Sequence, residues 1–119
     1  MWQYSQSKGK LLYNNESIGS GYSGHGQGLN NTKLEMVHNL GPIPRGLWEI
    51  GIWFDDKHLG PCVAALRPTD QEVFGRGGFF IHGDNKLMNH TASDGCIILS
   101  RILREKLRDS KEKYIEVVN

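Results

Sequence analysis

Two residues of this sequence combine the chemistry of a nucleophile with that of a base. His82 ends an apolar run, and Cys96 follows a turn of small residues and precedes a second apolar run. A free thiol is only a few per cent thiolate at neutral pH, and a neighbouring imidazole raises that fraction. The pattern therefore predicts a cysteine nucleophile, Cys96, that is activated by His82. From these two residues alone, a purely structural role for both stays open.

The glycines beside the two candidates have predicted roles in the same chemistry. Gly95 allows the main chain to approach a reacting carbonyl group without a Cβ in the way. The N–H groups of Gly95 and Cys96 can then point at the developing oxyanion, which lowers the barrier by about 3 kcal/mol. The carbonyl of Gly83 is the expected partner that holds the other ring nitrogen of His82 and so fixes its tautomer.

The elements that must position these residues are mostly strands. Short apolar runs separated by 15 glycines predict one mainly β domain that spans residues 1–119. The glycine-rich segment 19–31 is predicted to be a loop. Strands are predicted at 2–6, 10–13, 47–54, 61–67, 78–81 and 114–118.

One helix is predicted, from about residue 101 to about residue 109, with Ser100 as its N-cap. Its apolar residues are expected to face the core and its charged residues to face water. The core-facing set is Ile102, Leu103 and Leu107, and the solvent-facing set is Arg104, Glu105, Lys106 and Arg108.

Composition and local sequence argue against a nucleic-acid binder, a membrane span and a cleaved signal peptide. The formal net charge of +1 argues against a nucleic-acid binder, for which a strongly basic face is expected. No run approaches the roughly 18 apolar residues of a membrane span. The N-terminus has neither the basic start nor the apolar run of a signal peptide. Export, if it occurs, is therefore expected to use a route other than a cleaved N-terminal signal.

Other candidate sites have simpler explanations. Cys62 lies in an apolar, strand-like run and is predicted to be a buried small hydrophobe, because two cysteines make a poor disulfide framework. A zinc site formed by His82, Asp84, His90 and Cys96 would lack the short paired-ligand spacing of common zinc sites. Neither a metal nor a cofactor is predicted. The remaining histidines are expected to be ordinary surface or loop residues: His25, His38, His58 and His90.

The segments around both candidates resemble a known signature. Residues 81–84 (Ile-His-Gly-Asp) and 93–97 (Ser-Asp-Gly-Cys-Ile) are similar to the motifs of the L,D-transpeptidase (YkuD-like) superfamily. Segments 21–24, 28–31, 41–46 and 74–76 resemble a compact branch of that superfamily, which includes Tlde1-type effectors of the type VI secretion system. The resemblance covers nearly the whole chain, with the motifs in the expected order.

The resemblance implies a fold, an activity and a set of site residues. The fold would be a small L,D-transpeptidase-like β-sandwich with one short C-terminal helix. The enzyme would attack the bond after diaminopimelate in a stem tetrapeptide and release D-alanine, and water or an amine would resolve the acyl-enzyme. The implied catalytic set is Cys96, His82, Gly83 and Gly95, and the implied substrate-binding set is Tyr22, Ser23, Arg76, Ser93, Asp94 and Arg101.

Two departures from the superfamily pattern leave questions open. Asp94 stands where many relatives have a histidine, and an acid beside the thiolate disfavours it unless the side chain turns away. Ile98 stands where many transpeptidases have an arginine. Recognition of the substrate carboxylate would then fall to Arg101, Arg76 or Arg67, and the sequence does not choose among them.

The implied partners follow from the same resemblance. They are peptidoglycan stem peptides, a cognate immunity protein and a component of the secretion machine, with no nucleic acid and no membrane span. The chain is expected to be made in the cytoplasm without a signal peptide, secreted, and active in the periplasm of a target bacterium. Two alternatives are a non-catalytic peptidoglycan-binding module and a housekeeping transpeptidase that cross-links the cell wall.

Overall fold

The computed structural model describes residues 1–87 and 92–119 of the chain. This part contains nine strands, one α-helix and two short 3-10 turns, at Gly26–Gly28 and Thr32–Leu34. In chain order the elements are β1 (Trp2–Ser5), β2 (Lys10–Tyr13), β3 (Glu16–Ser23), β4 (Gly46–Ile50), β5 (Phe54–Asp56), β6 (Gly60–Pro68), β7 (Phe80–His82), β8 (Ile97–Leu99), α1 (Arg101–Ser110) and β9 (Tyr114–Val118).

The strands form one sheet that closes on itself. Its order is β4-β9-β1-β2-β3-β8-β7-β6, and β6 pairs back with β4, while β5 pairs with β6. Two pairs are parallel, β1 with β9 and β7 with β8. The prediction of a mainly β fold with one short C-terminal helix is confirmed. Because β4 pairs with both β9 and β6, the strands form one continuous closed sheet and not the two separate sheets of an open sandwich.

The core lies inside the closed sheet. Side chains alternate across each strand, so every second residue of a strand points inward. Trp48 and Ile115 are opposite each other on β4 and β9 and are both fully buried. Trp48 also packs edge-on against Phe79, with ring centroids 4.8 Å apart. This apolar interior supports the strands that carry the site.

The glycine-rich segment is partly a strand, so the loop prediction is wrong for residues 19–23, which belong to β3. Gly19 and Gly21 are needed there for space. A Cβ on Gly19 would lie 2.7 Å from the Leu103 side chain, and one on Gly21 would lie 2.6 Å from that of Leu99. The glycines therefore allow the helix and β8 to pack closely on β3.

A second difference concerns the apolar run 47–54. It was predicted as one strand, but β4 ends at Ile50 and β5 begins at Phe54. Ile52, in the connection, is 89% exposed. Trp53, the next residue, packs against the core, so residues 51–53 interrupt the apolar run without continuing its inside–outside alternation as a strand.

The helix has its predicted position and cap, but the predicted burial is wrong for Ile102 and Arg104. The Ser100 hydroxyl accepts a hydrogen bond from the Leu103 N–H at 3.3 Å. Leu103 and Leu107 are buried as expected, whereas Ile102 is 66% exposed and Arg104 is 7% exposed. Successive residues are rotated by about 100°. Arg104 therefore lies nearer than Ile102 to the face defined by the two leucines.

No helix in the described ranges is both long and apolar enough to cross a membrane.

Candidate active site

Parallel pairing of β7 and β8 brings the predicted base and nucleophile onto one face of the sheet. His82 is in register with Ile98, and Cys96 precedes Ile98 by two positions. Residues two positions apart in an extended chain point to the same face, about 7 Å apart. The alternating residues Ile81 and Ile97 belong to the core. His82 and Cys96 therefore lie together on the outer face.

The ring of His82 has a defined tautomer. Its Nδ1 lies 2.8 Å from the carbonyl oxygen of Gly83, and a carbonyl can only accept, so Nδ1 carries the proton. The lone pair of Nε2 is then available. Burial lowers the pKa of His82; the bond to Gly83 opposes this, and the charge of Arg104 adds to it. The imidazole is a neutral base at neutral pH.

The thiol of Cys96 is protonated at rest. Burial raises its pKa to about 11; an N–H of Phe80 opposes the rise, the carboxylate of Asp94 adds to it, and the charge of Arg76 opposes it. A thiol and a neutral imidazole, rather than a thiolate and an imidazolium, form the resting pair. The thiolate fraction at neutral pH is therefore small, and the activation of Cys96 by His82 stays a prediction.

The turn before Cys96 is held by Ser93. Its hydroxyl accepts hydrogen bonds from the N–H groups of Gly24 (2.9 Å) and Gly95 (3.1 Å) and donates to the carbonyl of Cys96 (2.7 Å). Ser93 is fully buried, so it acts on the turn and not on a substrate. The N–H of Gly95 is occupied by this bond, which contradicts its expected use as an oxyanion donor.

Gly95 is required by its surroundings. Its φ of +134° lies in a region that favours glycine. A Cβ there would stand 2.5 Å from Nη2 of Arg76 and 3.1 Å from the Phe79 ring. The residue makes room for the protein's own guanidinium group, and this explains the glycine without any appeal to the approach of a substrate.

Arg76 does not bind a substrate carboxylate through its terminal nitrogens, contrary to the prediction. The side chain is buried, and its guanidinium lies 5.3 Å from the centroid of the Phe79 ring. Nη1 and Nη2 each donate twice, which uses all four of their N–H groups. The acceptors are the main-chain carbonyls of Glu35, Pro42, Gly41 and Asp94. Arg76 thus joins the segment 35–42 to the nucleophile turn.

Two further predicted substrate contacts lie elsewhere. Ser23 is fully buried, and its hydroxyl donates to Gly95 O (3.2 Å) and accepts from the N–H of Ile43 (2.8 Å), so it does not line a groove. The side chain of Asp94 is exposed and lies 3.4 Å from Nδ1 of His25. His25 also contacts Ser93 O at 2.8 Å, closer to the site than a surface histidine was expected to be.

A groove of about 400 Å³ lies on the outer face beside Ile98, the residue in register with His82, although neither His82 nor Cys96 is among the residues that line it. Tyr22 pairs with Ile98, so His82, Ile98 and Tyr22 form a row across three strands. The Tyr22 hydroxyl donates to Asp84 at 2.7 Å, and burial together with this bond raises the pKa of Tyr22 to about 12. The groove is lined by Ser20, Gly21, Tyr22, Asp84, Ile98, Leu99, Ser100, Arg101 and Arg104.

The structure shows which arginines lie near enough to the groove to bind a substrate carboxylate there. Arg101 lines the groove and pairs with Glu105 at 3.2 Å. Arg67 pairs with Glu49 on the exposed surface of β6 and does not line the groove. Arg104 lines the groove too, although it was predicted to face water. Its position one residue after Leu103 places it beside the core-facing stripe of the helix, and this sequence signal could have indicated burial.

Two further hypotheses from the sequence concern Cys62 and a metal site. Cys62 is buried, as predicted, and both cysteines are free. His90, a member of the zinc set considered above, lies outside the described residues. Within residues 1–87 and 92–119, no group of three or more histidine, cysteine or acidic side chains is arranged to hold a metal ion.

The raised pKa of Cys96 leads to a testable pH dependence. In a Cys62→Ala background, iodoacetamide should react slowly at pH 7 and progressively faster as the pH rises towards about 11, because only the thiolate reacts. The folded protein binds this proton more tightly than the unfolded chain, so stability due to it should be lost as the pH rises through the same range. A reaction rate that already levels off below pH 8 would show a thiolate at rest.

Comparison with known proteins adds one match. A model of the Tlde1 domain matches residues 18–117 of the chain. The matched range contains the nucleophile turn, the β7–β8 pair and the groove. No curated protein matches the chain.

Proposed function

Because the chain belongs to the Tlde1 domain family, an enzymatic effector family of type VI secretion, we propose that it is a cysteine enzyme acting on the stem peptides of peptidoglycan. The observation that carries the proposal is the shared outer face of Cys96 and His82 beside an open groove. The bond to Gly83 leaves Nε2 of His82 as the basic nitrogen on that face.

In the proposed reaction, His82 acts as a base during the attack. Nε2 takes the thiol proton of Cys96 while the sulfur attacks the carbonyl carbon of diaminopimelate that is bonded to the D-alanine nitrogen, and a tetrahedral oxyanion forms. The oxyanion then collapses, the C–N bond breaks, and D-alanine leaves with the proton from His82. The product is a thioester of Cys96. Water or the amine of a D-amino acid or second stem resolves it, with His82 again accepting a proton.

The oxyanion needs a donor, and we assign it to the N–H of Cys96 itself. The neighbouring N–H of Gly95 already donates to Ser93. A donor on the nucleophile's own residue is held in place by the same turn, so its position relative to the sulfur changes little. Fixed donors of this kind lower barriers by about 3 kcal/mol.

The two alternative functions make different use of the same site. A non-catalytic binding module has no need of a buried neutral imidazole with a fixed tautomer beside a thiol, and this favours an enzyme. A housekeeping transpeptidase would share the chemistry. It differs from an effector because its activity would not harm the bacterium in whose periplasm it acts.

Purified protein incubated with tetrapeptide muropeptides should give tripeptide and free D-alanine. With an excess of another D-amino acid, the same protein should give the exchanged tetrapeptide if amines reach the thioester. Mass spectrometry of the products separates hydrolysis from exchange. Saturable binding without any product would support the binding module instead.

The effector role predicts a compartment-dependent effect in a susceptible bacterium. The chain expressed in the cytoplasm should be tolerated, whereas the chain fused to a periplasmic signal should damage growth and cell shape, because its substrate lies outside the inner membrane. Cys96→Ala in the periplasmic version is the matched control and should be harmless. Equal harm in both compartments would contradict a peptidoglycan target, and a harmless but active periplasmic version would favour the housekeeping enzyme.

A further inference from the structure

Arg104 is a buried cation, and one of its two terminal nitrogens donates no hydrogen bond to the described residues. The residue is 7% exposed, and its Nε donates to Ser100 O at 3.3 Å. Nη1 donates to the carbonyls of Pro61 (2.8 Å) and Cys62 (3.2 Å). Among the described residues, Nη2 has no hydrogen-bond partner, and the side chain lines the groove. A buried guanidinium stays charged, so the remaining N–H groups favour an anionic acceptor.

Gly83 shows that this placement is built into the site. A Cβ on Gly83 would lie 2.8 Å from Nη2 of Arg104 and 3.1 Å from its Cζ. Gly83 is not among the residues with positive φ, so space and not backbone conformation requires a glycine here. The glycine that follows the proposed base therefore seats the guanidinium beside His82.

The charges that face the groove leave Arg104 as the cation without a paired acid. Arg101 already has Glu105 as its partner. Asp84 is the acidic residue of the lining, but its Oδ1 accepts from the Tyr22 hydroxyl and the Asn85 N–H. No ion pair joins Asp84 to Arg104 in the described part of the chain.

We propose that Nη2 of Arg104 binds a carboxylate of the stem peptide while Cys96 attacks, an inference that rests on the proposed function. The groove is lined by Ile98, which is in register with His82, and it continues to Ser100 and Arg104. Nη2 of Arg104 lies against Gly83, the residue that follows His82, so a carboxylate bound to Nη2 lies next to the proposed base.

Two carboxylates of the substrate flank the attacked bond, and amides distinguish them. One is on the diaminopimelate side chain and the other is at the terminal D-alanine. The probes are the tetrapeptide and two analogues, each with one of these carboxylates converted to an amide. Wild-type protein should lose about 10- to 100-fold in kcat/KM on one analogue, as expected for loss of a charged hydrogen bond.

The matched variants are Arg104→Gln and Arg67→Gln. Arg104→Gln should lose about 10- to 100-fold on the tetrapeptide, and it should no longer discriminate against the amide that the wild type rejects. Arg67→Gln should retain both the activity and the discrimination, because Arg67 pairs with Glu49 outside the groove. Arg104→Lys keeps a charge and should retain part of the discrimination, even if Arg104→Gln folds poorly.

Failure of this inference and failure of the proposed function give different results. Equal losses on the acid and on both amides would show that Arg104 only supports the fold, and would overturn the inference while turnover remains. Calorimetric binding of the three peptides to Cys96→Ala, with and without Arg104→Gln, tests the arginine without chemistry. Binding that depends on Arg104 and on one carboxylate, in a wild type that turns nothing over, would support the site and reject the enzyme.

Discussion

Replacement of Cys96 by alanine is expected to abolish turnover, with kcat lowered on the order of a million-fold. The proposed thioester cannot form without the sulfur, and no other thiol lies on the outer face beside His82 in the described part of the chain. The fold should survive, because the sulfur makes only weak hydrogen bonds, with Gly78 O at 3.7 Å and with the N–H of Phe80. D-alanine release from the tetrapeptide measures the activity, and thermal unfolding measures the stability.

Cys62→Ala is the matched control for that change. Cys62 is buried on β6, so its truncation should lower the free energy of unfolding by about 1 kcal/mol and leave the activity in place. The opposite pattern, in which Cys62→Ala is inactive and Cys96→Ala is active, would make the assignment of the nucleophile wrong.

His82→Ala should lower kcat almost as far as Cys96→Ala, because a base and the nucleophile that it activates work as one unit. With a thiol pKa of about 11, roughly one thiol in ten thousand is ionised at pH 7 without help from a base. The activity of this variant should therefore rise steeply with pH as the thiolate forms. A pH profile of D-alanine release from wild type and variant measures this difference.

His58→Ala is the control for the histidine change, since His58 is exposed and its main-chain N–H, not its ring, contacts Asp56. It should resemble the wild type at every pH. A His82→Ala variant with more than about a tenth of wild-type activity at neutral pH would contradict the role of the base, because base catalysis contributes at least about a hundredfold.

Local sequence signals were sufficient to predict several strands, the helix and the candidate catalytic pair. Alternating apolar residues and turn residues act over a few positions, and so the strands at Lys10–Tyr13 and Tyr114–Val118 and the helix after Ser100 could be predicted from the sequence. The types of His82 and Cys96 likewise indicated a nucleophile and a base. Each of these inferences depends on side-chain chemistry or on short-range periodicity.

Short-range signals could not predict which strands pair with each other. The shared face of His82 and Cys96 results from parallel register between β7 and β8, which are separated by a connection of fourteen residues, 83–96. The glycines of β3 suggested a loop because glycine usually marks turns. In the folded chain Gly19 instead leaves room for Leu103, a contact across 84 positions.

The three-dimensional structure alone decided what each arginine does. Charge predicts exposure, and by that rule Arg104 and Arg76 should both have faced water. Burial of a guanidinium becomes tolerable only where several carbonyl oxygens converge, and those of Arg76 come from the separate segments 35–42 and 94. Such convergence depends on distances between remote parts of the chain. The sequence by itself therefore determined most of the strand-and-helix pattern and the reactive residue types, while tertiary packing decided which charges hold the fold and which ones face the groove.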